Sequence, residues 1–240
     1  MSYGSFTALK HPGFCESLFY GTGAGPEYSN SASGALITVL VGWYAWRTPR
    51  QPETDIVLAS LACNGVAACV FHYTLWELPG ALDSFTMLQT IFTLLLCIYS
   101  VTVITGEWSG GVQVLWVMGI SLLFSLTAVL SPWPRTGINF AWLIAGLAGL
   151  VILLLLYQTR LQPSPTLSRR LAWMIAEFLF GAACWLSTEP WCGTVPALRY
   201  LFWCHSIWHL TVTDAICRLV LLQQERVTLA LNLPPKPSPQ

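Results

Sequence analysis

The sequence has 240 residues, is 55% hydrophobic and carries only 9% charged residues, where an ordinary soluble domain has about 25% charged. Its eleven basic and eleven acidic residues cancel to a formal net charge of zero, so no basic field is available to attract nucleic acid. These numbers exclude a soluble globular domain and a nucleic-acid binder, and point to a chain whose solvent is lipid.

The start, Met1-Ser2-Tyr3-Gly4-Ser5, leads into a polar segment rather than a basic cap and an apolar core, so the first spanning helix is expected to act as the targeting element. Crossing about 30 Å of hydrocarbon takes about 20 apolar residues, and the windows that qualify are 31–47, 55–75, 83–105, 110–131, 137–158, 168–187 and 198–222. Breakers separate them, among them Thr48-Pro49-Arg50-Gln51-Pro52, Leu78-Pro79-Gly80, Ser131-Pro132-Trp133-Pro134 and Gln162-Pro163-Ser164-Pro165. The expectation is an all-α integral membrane bundle of seven transmembrane helices over 31–222. Residues 1–30 form a loop segment capping it, and 223–240 a cytoplasmic tail whose Pro-rich end, from Leu233, is disordered.

Basic residues orient the bundle. Arg47, Arg50, Arg160, Arg169, Arg170, Arg218, Arg226 and Lys236 fall on one side, against Lys10, Arg135 and Arg199 on the other. Eight against three predicts a cytoplasmic C terminus and an N terminus outside or in a lumen. On that map His72 near the end of the second span, Asp83 at the start of the third, and His205 and His209 in the seventh reach one depth, near the outer face. His205 and His209 are four residues apart and share a helix face. Ionisable groups at membrane depth cost about 2.5 kcal/mol or more and need partners. Three imidazoles with an open position are the ligand set of a catalytic zinc. Asp83 is then either the acid/base beside that metal, a group that orients a ligand histidine, or the N-cap of the third helix. For His72, with Phe71, Tyr73 and Trp76 around it, an interfacial histidine is the competing reading.

Several short patterns resemble a known family. They are Gly65-Val66-Ala67-Ala68-Cys69-Val70-Phe71-His72, then Leu82-Asp83, then His205-x-x-x-His209. Cys15-Glu16 followed by Glu27-Tyr28-Ser29-Asn30-Ser31-Ala32-Ser33, and the pair Trp185 and Cys192, add to them. Together they are similar to the alkaline ceramidases, part of a wider group of seven-helix membrane hydrolases that includes the progestin and adipoQ receptors. The resemblance implies hydrolysis of the amide of ceramide or a related N-acyl lipid, at zinc held by His72, His205 and His209 with Asp83 as the acid/base. It also implies calcium held by the Phe14 carbonyl, Glu16 and Glu27. Three positions depart from the family. Ala68 stands where a serine is usual, Gly13 and Leu18 where an acidic residue and an Asn are expected, and Thr188 where an Asp is expected. Ala68 keeps open a receptor or lipid sensor without turnover, and an ester lipase of the same fold remains a further alternative.

Cys15 and Cys192 fall on the outer, oxidising side by the charge rule, and the resemblance implies the same pair as a disulfide. The six other cysteines, all within spans, read as packing. Asn64 is expected to hydrogen-bond between helices, and Glu177 and Asp214 to be hydrogen-bonded in the bundle interior. The expected partner is a membrane lipid, with no protein partner evident. The membrane is a bacterial inner membrane, or that of the endoplasmic reticulum or Golgi.

Overall fold

The computed structural model describes residues 14–21, 26–103, 137–161 and 165–232. Among these it is all-helical, with no strand. The elements are α1 (Cys15–Tyr20), α2 (Tyr28–Arg47), α3 (Pro52–Thr74), α4 (Glu77–Val103), α5 (Gly137–Leu161), α6 (Pro165–Thr188), a 3-10 turn (Pro196–Leu201) and α7 (Trp203–Asn232). Pro52–Thr74, Glu77–Val101 and Pro165–Thr188 are long and apolar enough to cross a membrane. These are the second, third and sixth expected spans. The expected fourth, 110–131, lies outside the described residues. α2 and α7 are helical but diluted by interior polar groups such as Asn30, Ser33, His205 and Asp214, and in α5 the apolar stretch is Gly146–Tyr157.

α2 and α3 approach through glycine. A Cβ added at Gly34 would lie 2.6 Å from the Cys69 amide nitrogen, and one at Gly65 would lie 2.9 Å from the Gly34 carbonyl. Small residues at a helix crossing let backbones touch, which is how helices associate where lipid removes the hydrophobic drive. Thr38 strengthens the seam by donating to the Ala62 carbonyl at 3.1 Å. Gly34→Val is therefore expected to destabilise the fold by about 3 kcal/mol, read as a lowered thermal midpoint of the detergent-solubilised protein. An unchanged midpoint would mean that these helices separate freely.

Below that seam Ile37, Val41, Leu61, Ile98, Cys217 and Val220 are buried in one apolar core, to which α5 and α6 add Leu155 and Leu171. Outward-facing apolar side chains, including Trp46 at 81%, Trp173 at 71% and Val39 at 66% exposure, leave a surface suited to hydrocarbon. Deeper polar residues are partnered as expected. Asp214 accepts from the Tyr44 hydroxyl at 2.7 Å and pairs with Arg218 Nε at 2.6 Å, and Glu177 lies 4.0 Å from the same nitrogen.

Two expected boundaries move. α4 starts at Glu77, so Leu78-Pro79-Gly80 is its first turn rather than a break. Proline is tolerated there because the amide it lacks would have no intrahelical acceptor. Asp83 consequently sits about 9 Å along the helix at ~1.5 Å per residue, and is not its N-cap. The reversal is made earlier, at Leu75, which takes the left-handed conformation (φ 52°) and donates to the Phe71 carbonyl at 2.6 Å. A non-glycine residue there costs about 1 kcal/mol, and Leu75 is fully buried, so packing offsets it. At the other end α7 runs to Asn232, which makes 223–232 helix rather than tail. Gln224 is buried and donates to Thr54 Oγ1 at 2.7 Å and to the Pro49 carbonyl at 3.1 Å.

Candidate metal centre

His72 lies in the last turn of α3, and His205 and His209 in the first two turns of α7. Their ring centroids are 4.9 Å (72 to 205), 5.3 Å (72 to 209) and 4.7 Å (205 to 209) apart, and one nitrogen from each falls within 4.8 Å of the others. His72 and His205 are buried. Every Nδ1 already has an oxygen partner. His72 Nδ1 is 2.7 Å from Glu27 Oε2, His205 Nδ1 3.0 Å from Glu189 Oε1, and His209 Nδ1 2.8 Å from Ser33 Oγ. A partner of this kind takes the Nδ1 proton and leaves the Nε2 lone pair free for a cation. The donor set therefore fits zinc, for which three imidazoles are a common ligand set.

The N-terminal segment builds this arrangement from above. α1 ends at Gly21 in the left-handed region (φ 69°), and its Glu16 reaches over to cap α2, accepting from the Ser29 and Asn30 amides at 2.6 and 2.9 Å. Glu27 holds His72 twice, by its amide donating to the His72 carbonyl at 2.9 Å and by its carboxylate on Nδ1. Its other oxygen accepts from the Phe14 amide at 2.6 Å and the Ser17 hydroxyl at 2.7 Å. Burial works to raise the pKa of Glu27, but the bond and charge of His72, joined by the Ser17 and Phe14 donors, hold it down at about 2. For Glu16 burial prevails and raises the pKa, with the Ser29 and Asn30 amides pulling the other way. The Phe14 ring covers the cluster, 5.3 Å from His72 and 5.0 Å from His205.

Phe14, Glu16 and Glu27 are the residues expected at a calcium site. Each carboxylate oxygen of Glu16 and Glu27 faces an N–H or O–H donor, and the Phe14 carbonyl accepts the Leu18 amide at 3.2 Å. A calcium ion wants six to eight oxygens turned toward it. Glu16 caps α2 and Glu27 orients His72. Gly13 lies outside the described residues.

Cys15 and Cys192 form the expected disulfide, with Cα atoms 5.6 Å apart. The bridge ties α1 to the turn after α6, and Phe19 stacks on Phe202 at 4.8 Å beside it. Asp83 is not part of the histidine cluster. Its Oδ1 accepts from Asn64 Nδ2 at 3.0 Å, across α3 and α4, so Asn64 has the interhelical role expected of it. Ala68 is buried one turn before His72. In the first turn of α7, Ser206 donates to Asn30 Oδ1 at 3.0 Å and lies 2.7 Å from Ser29 Oγ.

Two contacts with the histidines were not expected. Ser33 closes one of the short family-like patterns, but it lies far from every histidine in sequence and no role was read for it. Glu189 falls just beyond the sixth window, in what reads as an outer connection; its nearness to Cys192, already assigned to the bundle mouth, was the available signal.

A helical protein with membrane-length apolar helices and three clustered histidines at one end is suited to a membrane and has a group of side chains that could hold a metal ion. The chain belongs to the ceramidase family: a family model described as Ceramidase matches residues 11–233. Membership implies a lipid substrate and a hydrolase acting on amide bonds. A comparison with curated proteins gives no match.

Proposed function

We propose that this protein is a zinc-dependent intramembrane amidase that cleaves the N-acyl amide of ceramide, or of a related sphingolipid, to a fatty acid and a sphingoid base. The observation that carries this reading is the convergence of His72, His205 and His209 with each Nδ1 already bonded to an oxygen. The Nε2 atoms of the three would hold the ion, which when bound supplies Lewis acidity for the amide carbonyl and acidifies a water. Asp83 has the chemistry to move the proton. With Oδ1 held by Asn64, Oδ2 is left to take a proton from the attacking water and deliver it to the departing amine. Glu27, Glu189 and Ser33 hold the rings, and Phe14 excludes bulk water.

An apolar cleft between α5, α6 and α7, lined by Val151, Leu155, Met174, Phe178, Ile216 and Leu219, is suited to an alkyl chain. Phe178 packs on Trp208 at 5.7 Å and Trp208 on Trp185 at 6.1 Å, which links the cleft to the rim of the histidine cluster. The seven-span topology with an outer N terminus belongs to the same proposal. It is supported by the eight-to-three distribution of basic residues and by a disulfide at the histidine end, which suits an oxidising side. A bacterial inner membrane or an endoplasmic-reticulum or Golgi membrane meets that requirement. The test is turnover of a panel of ceramides, other N-acyl amides and acyl esters by the purified protein, with its zinc content measured. Release of fatty acid from ceramide is expected. Stoichiometric zinc without turnover of any amide or ester would overturn the hydrolase reading, and turnover of esters alone would move it to a lipase.

A further inference from the structure

His72 and His209 take their Nδ1 partners from the chain at and just inside the start of α2, Glu27 and Ser33. His205 does not. Its partner, Glu189, comes from the turn after α6, and the Glu189 side chain is only 3% exposed. That carboxylate is held on its far side as well, because Oε2 accepts the Cys15 amide at 2.9 Å. Cys15 is in turn covalently joined to Cys192, three residues beyond Glu189. The turn itself is closed by hydrogen bonds. The Glu189 amide donates to the Trp185 carbonyl at 3.0 Å, the Cys192 amide to the Thr188 carbonyl at 3.0 Å, and Arg199 Nε to the Cys192 carbonyl at 3.1 Å.

We propose that Glu189 is a positioning residue that holds His205 in its ligating orientation, and that the Cys15–Cys192 disulfide acts on the metal centre through it. The proposal rests on the zinc reading above. The carboxylate takes two donors at once, one from a histidine and one from the tethered segment, so its place is set by the bridge as much as by its own backbone. Without the carboxylate, the His205 ring loses the acceptor that selects its tautomer and fixes its rotation, and Nε2 is no longer held toward its two companions. Without the bridge, the Cys15 amide is free to leave Oε2 and Glu189 regains rotamer freedom. Groups bonded to the second nitrogen of a ligand histidine commonly change metal affinity by about 10- to 100-fold.

The test is zinc affinity of the detergent-solubilised full chain, measured by competition with a chromophoric chelator and independent of turnover. Glu189→Gln, which keeps the shape but removes the charge, is expected to weaken zinc by about 10- to 100-fold. Glu189→Asp, which keeps the charge with shorter reach, is expected to lose less, and it replaces the glutamine variant if that one does not accumulate. The Cys15→Ser/Cys192→Ser pair is expected to weaken zinc several-fold with Glu189 present and to add little in the Glu189→Gln background, since coupled groups give non-additive effects. A parent that binds zinc, with parental affinity in whichever Glu189 variant folds, overturns this proposal and leaves the metal reading standing. Additive losses overturn the link to the disulfide. A parent that binds no zinc overturns both readings.

Discussion

Asp83→Asn is expected to lower kcat for ceramide hydrolysis by about 10²- to 10⁴-fold, the range of a positioned proton-transfer group, while zinc content stays at the parental level. The two halves of this result follow from different contacts. Asparagine is nearly isosteric and its Oδ1 can still accept from Asn64 Nδ2, which holds the native carboxylate at 3.0 Å, so α3 and α4 keep their seam. What is lost is the ability to accept a proton. Zinc is retained because Asp83 orients no ligand: the three Nδ1 atoms are bonded to Glu27, Glu189 and Ser33. A variant that lost zinc along with activity would show that Asp83 acts on the metal ligands. A variant with parental kcat would remove it from the chemistry.

His209→Ala should abolish both stoichiometric zinc and measurable hydrolysis, a fall of at least about 10³-fold, or roughly 4 kcal/mol of transition-state stabilisation. His209 is one of three donors, and two imidazoles on different helices leave a cation with half of a tetrahedral shell. Its removal also leaves Ser33 Oγ without the ring nitrogen at 2.8 Å, but that hydroxyl keeps its bond to the Asn30 carbonyl at 2.8 Å, so the fold around it survives. Unchanged helical circular dichroism and gel-filtration behaviour would locate the loss at the site. Retained zinc in the folded variant would mean that the histidines serve packing, and would end the metal reading.

The part of the site legible in the sequence was the convergence of His72, His205 and His209. His205 and His209 announce a shared face by their spacing, and His72 and Asp83 reach the same depth once the chain is laid across a bilayer, because helical rise converts residue number into depth. What holds those ligands was not legible. Glu16 and Glu27 read as oxygens for a cation, and their further work is local: Glu16 accepts from α2 amides, and Glu27 bonds the Phe14 amide, Ser17, Asn30 and His72. A carboxylate offers the same atoms to a cation and to a helix N-terminus, and no local pattern records the backbone that comes to lie beside it. The proline turn at Leu78-Pro79-Gly80 misled for a similar reason: a proline in the first turn of a helix and a proline between helices look alike until the chain reversal is found, here at Leu75.

By itself the sequence determined the solvent of this protein, its helical class, the cysteines expected to pair, and the family whose chemistry it carries. All of these follow from composition, from helical period and from short patterns that are local in the chain. Only the tertiary structure decided that Ser33 and Glu189 serve His209 and His205, that Asn64 holds Asp83, and that the disulfide is one bond away from a ligand's orienting group. Those pairings join residues up to 176 positions apart, and hydrogen bonds of about 3 Å are set by how helices cross, which no local pattern records.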